Sequence, residues 1–78
     1  MTAPDQTDTL GDALPREMAR VRDEVMPAYL LVRGMPGASV EPALALMRAS
    51  LDRAAKAMAE GDAVAMLRCY NDLKGYQT

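Results

Sequence analysis

Apolar positions recur along this chain at helical spacing. From Leu14 the series Leu14, Met18, Val21, Val25, Tyr29 and Val32 advances by 4, 3, 4, 4 and 3 positions. At 100° per residue it falls in one stripe roughly 80° wide. Arg16, Glu17, Arg20, Asp23 and Glu24 lie opposite, and Arg20 and Glu24 have the i,i+4 spacing of an ion pair. The pattern predicts a first helix over about 14–33, with Asp12 as a suitable N-cap and Pro15 harmless in the first turn. Pro27 interrupts it, deleting one hydrogen bond and pressing on the carbonyl of Asp23, at a cost of about 3 kcal/mol. Because the stripe keeps phase from Val25 to Tyr29 and Val32, a kinked helix is favoured over a break; Leu30 and Leu31 fall off the stripe.

Gly34-Met35-Pro36-Gly37-Ala38 reads as a stop and turn, after which Ser39 can cap a second helix over about 40–60. Its seam is Val40, Leu44, Met47, Leu51, Ala54/Ala55 and Met58. Gly61-Asp62 ends that helix and caps the next: Gly accepts the left-handed backbone, and the Asp carboxylate accepts an orphan N–H. A third helix then spans about 63–74, with Ala63, Met66, Leu67, Tyr70 and Leu73 on one face. Gly75 closes it, and residues 76–78 are expected to fray. Residues 1–11 lack hydrophobic periodicity and are expected to form a disordered tail, which leaves one helical domain over 12–75.

The two-residue turn permits only antiparallel neighbours, so the last two helices form an αα-hairpin. The second helix is apolar around about half its wheel, more than one partner can cover. It is therefore expected to lie between the other two. The fold class follows: all-α, a small three-helix bundle with a kinked first helix and a C-terminal antiparallel αα-hairpin. Asp52 and Lys56 are spaced for an ion pair on its wet side.

Composition agrees with that class and narrows the chemistry. The 78 residues contain no Phe, Trp, Ile or His, and Ala, Leu and Met carry most of the apolar content, a mixture that favours helix over strand. One Cys and no His leave no ligand set for zinc and no imidazole for nucleophilic catalysis, and one Cys closes no intrachain disulfide. No cofactor, no metal and no enzymatic activity are expected. The net charge is −2, but Asp5, Asp8 and Asp12 precede the first base; the remainder holds nine bases against eight acids. Such balance makes nucleic acid an unfavoured partner. There is neither a signal-peptide pattern at the start nor an apolar run long enough for a membrane span, so the expected location is the cytoplasm.

A protein-contact role is the favoured function, exercised on an unidentified partner or on a second copy. Leu30, Leu31 and Leu46 are the apolar side chains that the helical stripes leave spare, and Met35 sits in a turn. Cys69 lies beyond the edge of the third helix's apolar face, where it reads as a small hydrophobe and secondarily as a cross-linking thiol. Met18, Met47, Met58 and Met66 fall on core stripes and read as filling. The alternative is a nucleic-acid-associated regulator using Arg16, Arg20 and Arg22. Glu17, Asp23 and Glu24 interleave with these arginines and weaken that case. A helix-turn-helix reader is rejected, because Glu60 and Asp62 stand where that motif wants apolar residues.

The segments Glu17-Met18-Ala19-Arg20-Val21-Arg22, Met47-Arg48-Ala49-Ser50-Leu51-Asp52-Arg53-Ala54 and Gly61-Asp62-Ala63-Val64-Ala65-Met66-Leu67-Arg68-Cys69-Tyr70 resemble small bacteriophage and prophage proteins of proteobacteria that carry no assigned activity. The resemblance covers most of residues 16–75. It implies a phage or prophage origin and expression in a bacterial cytoplasm, and it carries over no catalytic or binding residue. Met26-Pro27 and Met35-Pro36 depart from the pattern.

Overall fold

A computed structural model describes residues 9–37 and 39–77. Residues 1–8 of the expected tail lie outside the described residues, as do Ala38 and Thr78. The elements are α1 (Leu10–Arg20), a π-helical turn (Val21–Val25), α2 (Met26–Leu31), α3 (Glu41–Glu60) and α4 (Ala63–Lys74). Together they form the three-helix bundle, α1, the π turn and α2 making one interrupted rod.

The first rod starts earlier than the periodicity predicts. Thr9, not Asp12, is the N-cap residue, and its carbonyl accepts from the N–H groups of Asp12 and Ala13 at 3.0 and 2.8 Å. The Thr9 hydroxyl donates to the Asp12 carboxylate at 3.1 Å, so Asp12 supports the turn from within it. Leu10 and Gly11, assigned to the tail by their polar surroundings, belong to the helix, and Leu10 packs partly on the core.

Pro27 produces neither a break nor a simple missing bond. The turn just before it widens to π geometry, and the Met26 N–H reaches back five residues to the Val21 carbonyl. In a regular α-helix Pro27 would meet the Asp23 carbonyl without an N–H to offer it; an enlarged turn relieves that crowding and keeps the rod continuous.

The second connection matches the Schellman pattern. Gly61 has φ +66°, its N–H bonds to the Met58 carbonyl at 3.2 Å, and the Asp62 N–H bonds to the Ala57 carbonyl at 3.1 Å. Asp62 Oδ1 then accepts from the Ala65 N–H at 3.1 Å and caps α4. The first connection differs from expectation. Ser39 makes no cap; Val40 is the N-cap residue of α3, with no side-chain bond, and its carbonyl accepts from the Leu44 N–H at 2.9 Å.

The core comprises Leu14, Val21 and Val25 from the first rod, Leu44, Met47, Ala54 and Ala57 from α3, and Cys69 and Leu73 from α4. Two packing expectations need correction. The wide apolar arc of α3 is not sandwiched: its buried stripe is Leu44, Met47, Ser50, Ala54 and Ala57, while Leu46 and Ala55 face solvent. α4 is the helix packed most extensively against both α1 and α3. Much of the arc is Ala, which exposes so little apolar area that covering it gains little. On α4 the buried face is also rotated. Cys69 is core, and Ala63 and Leu67, assigned there by periodicity, are exposed.

Neither predicted i,i+4 pair forms. Arg20 turns to Glu17 at 3.1 Å rather than to Glu24, and the α3 cation that reaches an acid is Arg53, 3.9 Å from Asp72, rather than Lys56 from Asp52. Among the described residues no helix is long and apolar enough to cross a membrane.

Candidate interaction site

α2 is six residues long and fully buries none of its side chains. The π turn adds a residue to the helical repeat, so the stripe of α1 cannot continue unchanged through it. Tyr29 stays half-buried, whereas Val32 turns out to 37% exposure, beside Leu30 at 41% and Leu31 at 82%. The helix closes through three-residue bonds, Val32 N–H to the Tyr29 carbonyl and Arg33 N–H to the Leu30 carbonyl, each at 3.2 Å. Gly34 follows at φ +90°, and Met35 in the turn is 55% exposed. Arg33 spans the loop to Glu41 with a two-point ion pair, Nε to Oε2 and Nη2 to Oε1, the latter at 3.0 Å. That pair fixes the loop to the start of α3.

Leu30, Leu31 and Met35 are thus close in sequence on one connection and exposed with Val32. Beside them an apolar groove of ≈ 310 Å³ is lined by Ala28, Tyr29, Val32, Val40 and Gln77. Leu46, 59% exposed, projects from α3. Cys69 does not belong with these residues: it is 6% exposed and packs in the core. It lines a second groove, of ≈ 390 Å³, between α3 and α4, whose rim alternates Arg53, Lys56 and Arg68 with Glu60 and Asp72. A rim of both signs selects neither an anion nor a cation.

The arginines of the first rod are engaged within the fold. Arg20 Nη2 donates to the carbonyls of Leu73 and Tyr76 at 2.9 and 2.8 Å, placing positive charge at the negative end of α4. Arg22 holds Asp23 through two bonds, at 2.8 and 3.0 Å. That hydrogen bonding pulls the Asp23 carboxyl below its ordinary pKa and raises the guanidinium in return. Arg16 also has a partner.

Sequence reasoning missed two features. Val64, on the outer side of α4, is 63% exposed and lies three positions from Leu67 at 52%. Ser50 is 1% exposed, and its Oγ meets the Tyr76 hydroxyl at 2.9 Å and accepts from Arg53 Nη2 at 3.1 Å. A serine within an apolar seam signals an obligatory polar partner, but its position alone does not name a tyrosine 26 residues away. Tyr76, expected to fray, is therefore anchored.

Comparison with protein-family models, with curated proteins and with solved structures gives no match.

Proposed function

We propose that the chain is a non-catalytic binding protein whose contact surface is the end of α2 and the turn after it, and that its partner is another protein contributing a short apolar segment. One observation carries this reading. Leu30, Leu31, Val32 and Met35 are exposed in a run of six residues that contains a single charge, Arg33, already paired with Glu41. Adjacent exposed apolar side chains of this kind mark contact sites, whereas isolated ones do not. Four side chains fall well short of the roughly 800 Å² per partner of a standard interface. The patch therefore suits a short inserted helix or strand better than a symmetric pairing of two copies. The nucleic-acid alternative draws less support, because Arg20 and Arg22 are committed to carbonyl and carboxylate groups of the chain itself.

The setting we propose, a phage or prophage protein in a bacterial cytoplasm, rests on the sequence resemblance. The test is photo-crosslinking in that host, with a benzophenone side chain at Leu31 and, for comparison, at Leu46. One discrete adduct at position 31, weakened by Met35→Asp and not reproduced at position 46, is the expected result. No adduct at position 31, or the same ladder at both positions, overturns the reading. An adduct of twice the chain mass makes the partner a second copy.

A further inference from the structure

We propose that Gly75–Gln77 is a releasable strap that walls one side of the apolar groove beside α2, so that its release widens the groove for the apolar segment of the partner protein. This rests on the reading of the α2 end as the contact surface and adds its regulation. The strap leaves α4 at Lys74 and is tied to both other rods. Arg20 Nη2 donates to the Tyr76 carbonyl at 2.8 Å and to the Leu73 carbonyl at 2.9 Å; the latter also receives the Tyr76 N–H at 3.1 Å. On the α3 side the Tyr76 hydroxyl meets Ser50 Oγ at 2.9 Å, and Arg53 braces the same Oγ at 3.1 Å.

Past these anchors Gln77 forms part of the groove wall with Ala28, Tyr29, Val32 and Val40. Gln77 thus occupies one side of a groove whose other walls come from α2, the turn after it and the residue before α3. The fastenings are polar bonds, from the Arg20 guanidinium to carbonyls and from the Tyr76 hydroxyl to Ser50, and the half-buried Tyr76 ring packs against the core. A short segment held in this way opens locally without unfolding the helices behind it. A ligand of the open groove then draws the population toward release by its preference for that state.

The test is titration of the full chain with the apolar dye 8-anilinonaphthalene-1-sulfonate. Amide exchange of residues 75–77 is followed in parallel. Tyr76→Phe keeps the ring and the carbonyl that Arg20 holds and removes only the phenol bond. It is expected to raise dye affinity about fivefold, the population change equivalent to one net hydrogen bond, and to speed exchange at 75–77 while α3 and α4 stay protected. Ser50→Ala reaches the same end from the other partner. Adding Val32→Asp, on the groove wall, should cancel the gain. Unchanged dye affinity in folded Tyr76→Phe and Ser50→Ala, or a gain that survives Val32→Asp, overturns the strap. If Leu31 captures nothing but the dye result holds, the contact reading falls alone; if Leu31 captures and the dye result fails, the strap falls alone.

Discussion

α2 and α4 answer differently to the same helical chemistry. Five of the six residues of α2 (Met26-Pro27-Ala28-Tyr29-Leu30-Leu31) are apolar, against eight of the twelve in α4. Yet α4 buries Cys69 and Leu73, and α2 buries none of its residues. The ends differ as well. α4 has the Asp62 carboxylate on the Ala65 N–H, Arg20 on the Leu73 carbonyl, and Lys74 stacked 5.2 Å over the Tyr70 ring. α2 has no side-chain cap and begins on a π turn. Burial here follows the number of neighbouring rods, not apolar content. α4 lies against both α1 and α3, whereas α2 touches α3 far less and shares a groove with Val40 and Gln77. Leu30, Leu31, Val32 and Met35 are exposed there in one run, whereas Leu46, Val64 and Leu67 are exposed on α3 and α4, and a segment with few buried contacts is also the one that can reshape around a partner.

Core truncation is the strongest way to break this contrast. Leu73→Ala should cost about 3 kcal/mol, because the side chain is fully buried and the cavity can only partly collapse. For a domain this small that lowers the melting temperature by on the order of 15 °C. Leu31→Ala removes the same atoms from a side chain 82% exposed and should stay within about 0.5 kcal/mol. Urea titrations of the two variants check both. Comparable losses would mean that α2 is covered in solution, and the contrast with α4 would fail.

A smaller effect isolates the ends. Asp62→Ala removes the side-chain cap of α4 and should cost about 1 kcal/mol. In hydrogen exchange the loss should be visible first at Ala65, whose N–H the Asp62 carboxylate accepts. α2, which has no such cap to lose, should exchange early in the parent chain and change little in the variant. Slow exchange of α2 in the parent would show that the groove end is better closed than its packing indicates.

These two regions also separate what the residues made legible from what they did not. Gly61-Asp62 could be read directly, because a left-handed backbone and an orphan N–H are local needs that two residue types meet. The helices, the hairpin and most core positions follow from spacing, which is local too. Two features depended on tertiary detail. The rotation of α4, which buries Cys69 and exposes Leu67, is set by how close neighbouring rods approach, and a wheel carries no such information. The π turn left a trace in Pro27, but a missing N–H is equally consistent with a kink, a break or a widened turn. Of the candidate contacts, Leu30, Leu31, Met35 and Leu46 are exposed as their off-stripe or turn positions suggest, and Cys69 is not. The Arg20 clamp and the Ser50–Tyr76 bond join residues far apart in sequence, and neither has a periodic signature.

The smallest expected effect concerns the joint between the two regimes, where Asp23 lies in the π turn four residues before Pro27. Hydrogen bonding from Arg22 lowers the folded-state pKa of its carboxyl. A depressed carboxylate pKa favours the folded state above the unfolded value of about 3.9, and that contribution is lost as pH falls through the folded value. Both side chains are well exposed, so the pair is screened by salt and its effect on stability is slight. NMR titration should place the Asp23 midpoint below that of an ordinary aspartate at low salt. The midpoint should return to the ordinary value in Arg22→Ala, and the π turn should persist in that variant. If Arg22→Ala instead restores regular helical bonding around Met26, the widened turn is sustained by this ion pair. Pro27 would then no longer suffice as the reason α1 and α2 part company.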